Sequence, residues 1–248
     1  MVIRTPAELA GLRRVSEETA RLLADLSRLV APGITTGALD AYAAARIAQL
    51  GAEPIFRVEA GFPGCINTSV NDIVLHGVPG PRILRDGDVI SIDAGMRLDG
   101  YCGDANVSVP VGRIGARRRR LLAATHGAME AGIRAAATGK RVGDIGHAMQ
   151  RYAERRGFGV IRDGFTGHGI GRRLHEEPSV PFVGRPGTGP LLAEGLVITV
   201  EPILVEGSPR VVMEPDGWGV RTADGGWAAQ FEHTIMVTGN GGVILTVA

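Results

Sequence analysis

Cysteine is scarce: Cys65 and Cys102 are the only two in 248 residues. Two thiols allow one bridge at most and no disulfide framework, which favours a reducing compartment. An excess of charge of one sign is also missing. Lys and Arg number 27 against 26 Asp and Glu, a formal net charge of +1. No broad field therefore draws the chain to nucleic acid or to an anionic membrane. The one basic run, Arg117 to Arg120, is local and reads as a solvated helix start. No uncharged stretch reaches membrane-spanning length, and Met1-Val2-Ile3-Arg4-Thr5-Pro6 lacks the apolar run of a signal peptide. The expectation is a cytoplasmic protein that binds neither nucleic acid nor membrane.

What is present is an ordinary globular composition, 44% apolar and 21% charged, enough for a sizeable core. Leu9, Leu12, Val15, Leu22, Leu23, Leu26 and Leu29 recur at helical spacing, which predicts a helix from Pro6 to Val30. Thr5-Pro6-Ala7-Glu8 supplies an N-cap, Pro at the first helical position and Glu three residues after the Thr. Further helices are expected from Thr36 to Leu50, Ala116 to Ala137 and Val142 to Arg156. Asp88 to Asp93 reads as a buried strand, with Tyr101 to Val109 its hairpin partner.

The chain repeats itself. Leu84 to Asp93 and Leu192 to Glu201 share Leu, two residues, Gly, one residue, Val-Ile, one residue, a β-branched residue and a final acid. Gly33 to Leu39 parallels Gly139 to Ile145 at nearly the same offset. The order of elements is also shared, and no linker separates the copies. The expected fold is α+β: one domain over 1–248, with two pseudo-symmetric halves of about 1–110 and 111–248. Each half ends a strand with a carboxylate, Asp93 or Glu201, which is costly to bury unless paired or bound to a cation.

If the hairpin turn is centred on Leu98 and Asp99, Asp93 and Asp104 stand directly opposite, with Cβ atoms roughly 5 Å apart. Such a pair repels unless a cation lies between its members; the alternative is that Asp104 is a solvated residue near a turn. Gly167-His168-Gly169-Ile170-Gly171 frees an imidazole between glycines. Thr199-Val200-Glu201-Pro202 and Gln230-Phe231-Glu232-His233-Thr234-Ile235 add two acids. Four carboxylates and one imidazole suit hard to borderline divalent ions, Mn, Fe, Co or Zn. Four negative charges match two such ions.

Asp93, Asp104, His168, Glu201 and Glu232, with the words around them, resemble the metal ligands of the methionine aminopeptidase, or pita-bread, family in its short bacterial type I form. The likeness runs from Arg4 to Thr246. It implies a pita-bread fold, a curved antiparallel sheet covered by helices. It also implies removal of the initiator methionine from nascent chains with a small second residue, by attack of a metal-bridging water on the first peptide bond. Asp93 would hold one ion through both oxygens, Asp104 and Glu232 would bridge, and His168 and Glu201 would complete the other. Glu201 would also handle the proton. His76 and His175, which composition alone reads as loop histidines, would contact the substrate beside the scissile bond. His233 has no assigned role and reads as structural.

Phe62 and Trp218 match aromatic positions of the family's methionine pocket. Leu174 departs from its usual Phe and Leu75 from its usual Cys, and Phe56 and Glu59 have no clear counterpart. Nascent N-termini are the implied partners of a monomer, with ribosome association open. The alternatives are a proline-directed peptidase or creatinase-like hydrolase of the same fold, and a catalytically inactive relative that serves as a binding module.

Overall fold

The computed structural model describes residues 1–162 and 164–248. The helices are α1 (Pro6–Leu29), α2 (Thr36–Gln49), α3 (Ile55–Ala60), α4 (Ala116–Ala135) and α5 (Val142–Glu154). The strands are β1 (Glu53–Pro54), β2 (Ile66–Val70), β3 (Ile73–Leu75), β4 (Val89–Leu98), β5 (Tyr101–Pro110), β6 (Gly159–Val160), β7 (Thr166–Gly169) and β8 (Glu176–Pro181). They continue with β9 (Val197–Val200), β10 (Ile203–Val205), β11 (Val211–Met213), β12 (Val220–Thr222), β13 (Ala228–Gln230), β14 (Glu232–Thr238) and β15 (Gly241–Ile244). No described helix is long and apolar enough to cross a membrane.

The main sheet runs β1-β4-β5-β14-β9-β7-β8, with β2 also on β4 and β15 also on β14, and its ladders are antiparallel. Smaller sheets, β13-β10-β6 and β11-β12-β3, flank it. α1 packs on β4 and β5, and α4 packs on α5 and on β14 and β15. Two apolar clusters follow the two parts of the chain. Leu12, Leu22, Leu26, Ile90 and Ile92 belong to one, and Leu121, Met149, Ile198 and Ile235 to the other.

α1 begins where the sequence places it. Thr5 Oγ1 accepts from the Glu8 amide at 3.2 Å, and Glu8 Oε2 accepts from the Thr5 amide at 3.1 Å. Such a cap contributes about 1 kcal/mol.

The repeat is reproduced in backbone hydrogen bonds. Gly33 N–H donates to Leu84 O as Gly139 N–H does to Leu192 O. Leu84 N–H donates to Ile34 O as Leu192 N–H does to Lys140 O. Gly37 N–H donates to Gly80 O as Gly143 N–H does to Thr188 O. A Cβ on Gly37 would stand 3.0 Å from Gly80 O, and one on Gly143 2.5 Å from Arg185 O. Each copy therefore needs its glycine for the same close backbone approach.

Two expectations are corrected. The hairpin turn is centred one residue later, on Asp99 and Gly100, with Leu98 paired to Tyr101. Both turn residues have positive φ, 51° and 75°. Gly tolerates this and Asp accepts it, whereas the buried Leu98 would not. Asp93 therefore faces Asn106, and Asp104 faces Gly95. Asp93 and Asp104 are diagonal neighbours, still on one face because the shift in pairing is two residues. The strand of Asp93 runs on to Leu98, so Asp93 stands inside β4 rather than at a strand's end. The Arg117 to Arg120 run begins α4 as expected. Arg118 stacks over the Trp227 ring at 4.2 Å, and Arg117 pairs with the Glu206 carboxylate at 3.3 Å. Arg117, Arg119 and Arg120 remain exposed and only Arg118 is half-buried, so the run is the solvated helix start the sequence suggests.

Candidate metal centre and substrate cavity

Strand alternation sorts the side chains. Gly103, next to Asp104, lies against Val15 and Thr19 of α1, so Asp104 points to the opposite face. Glu232 pairs with Asn106 and takes the same face as Asp104, while His233 pairs with Ala105 and faces the helices. There His233 Nδ1 meets Thr246 Oγ1 at 2.8 Å, in a cavity also lined by Leu23 and Met129. Its position away from the acids agrees with a structural reading.

On the acid face, Asp93, Asp104, His168, Glu201 and Glu232 line one cavity of about 370 Å³. Asp104, His168 and Glu232 each offer a ligand atom, and those atoms all lie within 4.8 Å of one another. His168 Nε2 is 3.6 Å from Asp104 Oδ2 and 3.7 Å from Glu201 Oε1. Its Nδ1 donates to the Gly169 carbonyl at 2.9 Å, which leaves Nε2 as the lone-pair nitrogen aimed at the acids. Burial first, then the nearby His175, lowers the His168 pKa to about 4, so the ring is neutral.

The carboxylates are pushed the other way. Burial raises Asp93 to about 7 and Glu201 to about 8. Burial and then the neighbouring acids raise Asp104 and Glu232 well above the usual carboxylate range. Asp93 Oδ1, Asp104 Oδ1 and Glu232 Oε1 are buried with no hydrogen-bond partner among the described residues. Unpartnered acceptors on crowded acids, facing a neutral imidazole nitrogen, are the donor set a divalent cation requires. The residues present therefore fit metal ions. Gly95, opposite Asp104, keeps the room open: a Cβ there would stand 3.2 Å from Asp104 Oδ1.

Polar side chains that the sequence did not single out hold two of these acids. Asn67, directly across from Asp93 on β2, donates from Nδ2 to Asp93 Oδ2 at 2.8 Å. Thr199 Oγ1 donates to Glu201 Oε1 at 2.8 Å and accepts from the His168 amide at 2.9 Å. Gln230 Nε2 donates to Glu201 Oε2 at 3.1 Å. The only sequence signal for Gln230 is its place in the Gln230-Phe231-Glu232 word.

His76 and His175 join the same cavity. The His175 ring lies edge-on to His168 with centroids 4.4 Å apart. His76 sits at φ 53°, a conformation unusual for a side chain of its size, and this places its ring in the cavity wall. Phe62 and Trp218 make an edge-to-face pair at 5.3 Å and line the apolar part with Phe56, Leu75 and Leu174. Glu59 does not line it. Its Oε2 accepts from the Leu174 amide at 3.0 Å and so ties the Leu174–His175 segment to α3. Cys65 and Cys102 are both free and buried.

Residues 10–239 match the model of metallopeptidase family M24. The chain is 42% identical over 246 residues to methionine aminopeptidase 1 of Bacillus subtilis, covering 99% of each chain. It is 44% identical over 254 residues to methionine aminopeptidase B of a Synechocystis species, covering all of this chain and 92% of the relative. The crystal structure of methionine aminopeptidase from Rickettsia prowazekii superposes with a TM-score of 0.96 at 39% identity over the full length of both. That fold is the expected pita-bread arrangement of antiparallel sheet and helices. With its acid-lined cavity and full-length likeness, the chain belongs to metallopeptidase family M24 and, within it, to the methionine aminopeptidases.

Proposed function

We propose that this chain, acting as one catalytic unit over residues 1–248, removes the initiator methionine from nascent proteins whose second residue is small. The observation that carries this reading is the meeting of four carboxylates and one imidazole at the wall of a partly apolar cavity. Phe62, Trp218, Leu75 and Leu174 receive the methionine side chain, an apolar surface suited to a thioether. Such a pocket separates side chains differing by one methylene by about 1–3 kcal/mol.

Asp93, Asp104 and Glu232 would hold one divalent ion, and Asp104, Glu232, His168 and Glu201 would hold a second. Two such ions, drawn from Mn, Fe, Co or Zn, supply a Lewis acid for the scissile carbonyl and a water made acidic enough to attack at neutral pH. Asp93, Asp104 and Glu232 contribute the open oxygens Oδ1, Oδ1 and Oε1. Glu201 takes the proton of the attacking water on its carboxylate and passes it to the leaving nitrogen as the peptide bond breaks. His175 and His76 donate hydrogen bonds to the substrate backbone as charge develops at the carbonyl. The setting is the cytoplasm, where new N-termini emerge, with the protein acting as a monomer at or near the ribosome.

The test is release of methionine from Met-Ala-Ser beside Xaa-Pro control peptides, after chelation and after return of Mn, Fe or Co. Metal-dependent release from Met-Ala-Ser alone is expected. Release from the Xaa-Pro peptides instead would assign a proline-directed peptidase.

A further inference from the structure

Glu201 differs from the other acids of the cavity: each of its oxygens receives a protein donor, Thr199 Oγ1 on Oε1 and Gln230 Nε2 on Oε2. Gln230 is itself fixed at every polar atom. Its backbone N–H donates to Ser108 Oγ at 3.0 Å, and its carbonyl accepts from the Ser108 hydroxyl at 2.8 Å. The single Ser108 proton is thereby used, so Ser91, 2.6 Å away, donates to Ser108. On the side chain, Gln230 Oε1 accepts from Asn106 Nδ2 at 3.0 Å. Asn106 and Gln230 are each only 4% exposed.

Asn106, whose own Oδ1 has no partner among the described residues, offers its donor to Gln230 Oε1 and so favours the amide orientation that also serves Glu201. The reversed amide would set Nε2 against Asn106 Nδ2 and Oε1 against Glu201 Oε2. That makes two like contacts in a buried place, where an unmade hydrogen bond is costly. Asn106 lies on β5 between the strands of Asp93 and Glu232, whereas Glu201 follows β9. An amide on the central strand therefore reaches the acid of the second repeat through one intermediate side chain.

We propose that Asn106 and Gln230 form a positioning relay: Asn106 sets the orientation of the Gln230 amide, and Gln230 holds the Glu201 carboxylate in the pose that binds the ion. The relay rests on the reading of Glu201 as a metal ligand. Neither residue is a ligand; both act through Glu201.

The experiment is a double-mutant cycle on the chelated full-length protein, with Gln230→Met, Asn106→Leu and the pair. The readouts are cobalt affinity by calorimetry, the visible spectrum of the cobalt-loaded protein, and kcat and KM on Met-Ala-Ser. Q230M is expected to weaken cobalt binding about 10- to 100-fold, as loss of an outer partner of a ligand does. It should also shift the cobalt spectrum and lower kcat more than KM changes. N106L should move each readout the same way and less far, and the double variant should be no worse than Q230M. Losses that multiply in the double variant, or a Q230M protein with wild-type affinity and spectrum, overturn the relay. Should N106L fail to fold by circular dichroism, Asn106→Ala, smaller and likewise without an amide donor, must lower cobalt affinity; retained affinity overturns the relay. Absence of cobalt binding or of methionine release in the wild type would instead overturn the reading of the site.

Discussion

The two repeats hold their acids differently. In the first, Asp93 stands inside β4, flanked by β2 and β5, with Asn67 directly opposite and donating to one of its oxygens. In the second, Glu201 follows the end of β9, at Pro202, which cannot donate to a ladder. Its side chain is one methylene longer, and it is held by Thr199 and by Gln230, also one methylene longer than Asn. The loops before the two strands keep the same hydrogen bonds. The copies thus share their backbone scaffold and diverge at the acid: Asp93 sits within a strand and takes one side-chain donor, whereas Glu201 lies past its strand and takes two. Asp104 and Glu232 lie on the strands that join the halves, and each retains an unpartnered oxygen.

Removing the junction should have the largest effect. Asp104→Ala is expected to release at least one ion and to lower turnover about a thousandfold or more, the scale of lost metal catalysis. Metal analysis together with single-turnover kinetics reads both effects, and full turnover would contradict a bridging Asp104. His175→Ala should cost about 10²- to 10⁴-fold in turnover, as loss of a proton-handling or oxyanion-stabilising group does, while metal content stays near wild type. Equal loss of both would make His175 a ligand or a structural residue.

Asn67→Leu sharpens the comparison from the first half. Cobalt affinity should fall about 10- to 100-fold, with the apo-protein still folded by circular dichroism; unchanged affinity would leave register alone to hold Asp93.

A smaller, graded effect follows from the raised carboxylate pKa values. Without metal, Asp93 and Glu201 bind protons more tightly folded than unfolded, with folded values of about 7 and 8. Their contribution to stability is present below the ordinary carboxylate pKa and is lost as pH rises through about 7 to 8. Bound cations need the ionised form and reverse that trend. The rise in Tm on adding Mn should therefore be small at pH 5.5 and larger at pH 8. Differential scanning calorimetry decides it, and a rise that shrinks with pH would contradict the account.

Much of this was legible in the sequence, for reasons that differ by residue. The four acids and His168 stand in short words whose type and order survive without knowledge of packing. The repeat was readable because Gly37 and Gly143 answer the same steric demand. The hairpin register differs from the sequence expectation because Asp99-Gly100, the stronger turn pair, forms the turn by itself, one residue later. Asn67, Asn106 and Gln230 were not legible. An amide side chain pairs with whatever the register sets opposite it, and that register comes from strands distant in sequence. The same holds for Arg118, whose Trp227 partner lies in a remote loop.

The most direct test of the central claim is a calorimetric titration of the chelated protein with cobalt, run beside Asp104→Ala. Two ions per chain are expected in the wild type and at most one in the variant. A wild type that takes up no ion, or a variant that still binds two, would contradict a centre built jointly by the two halves.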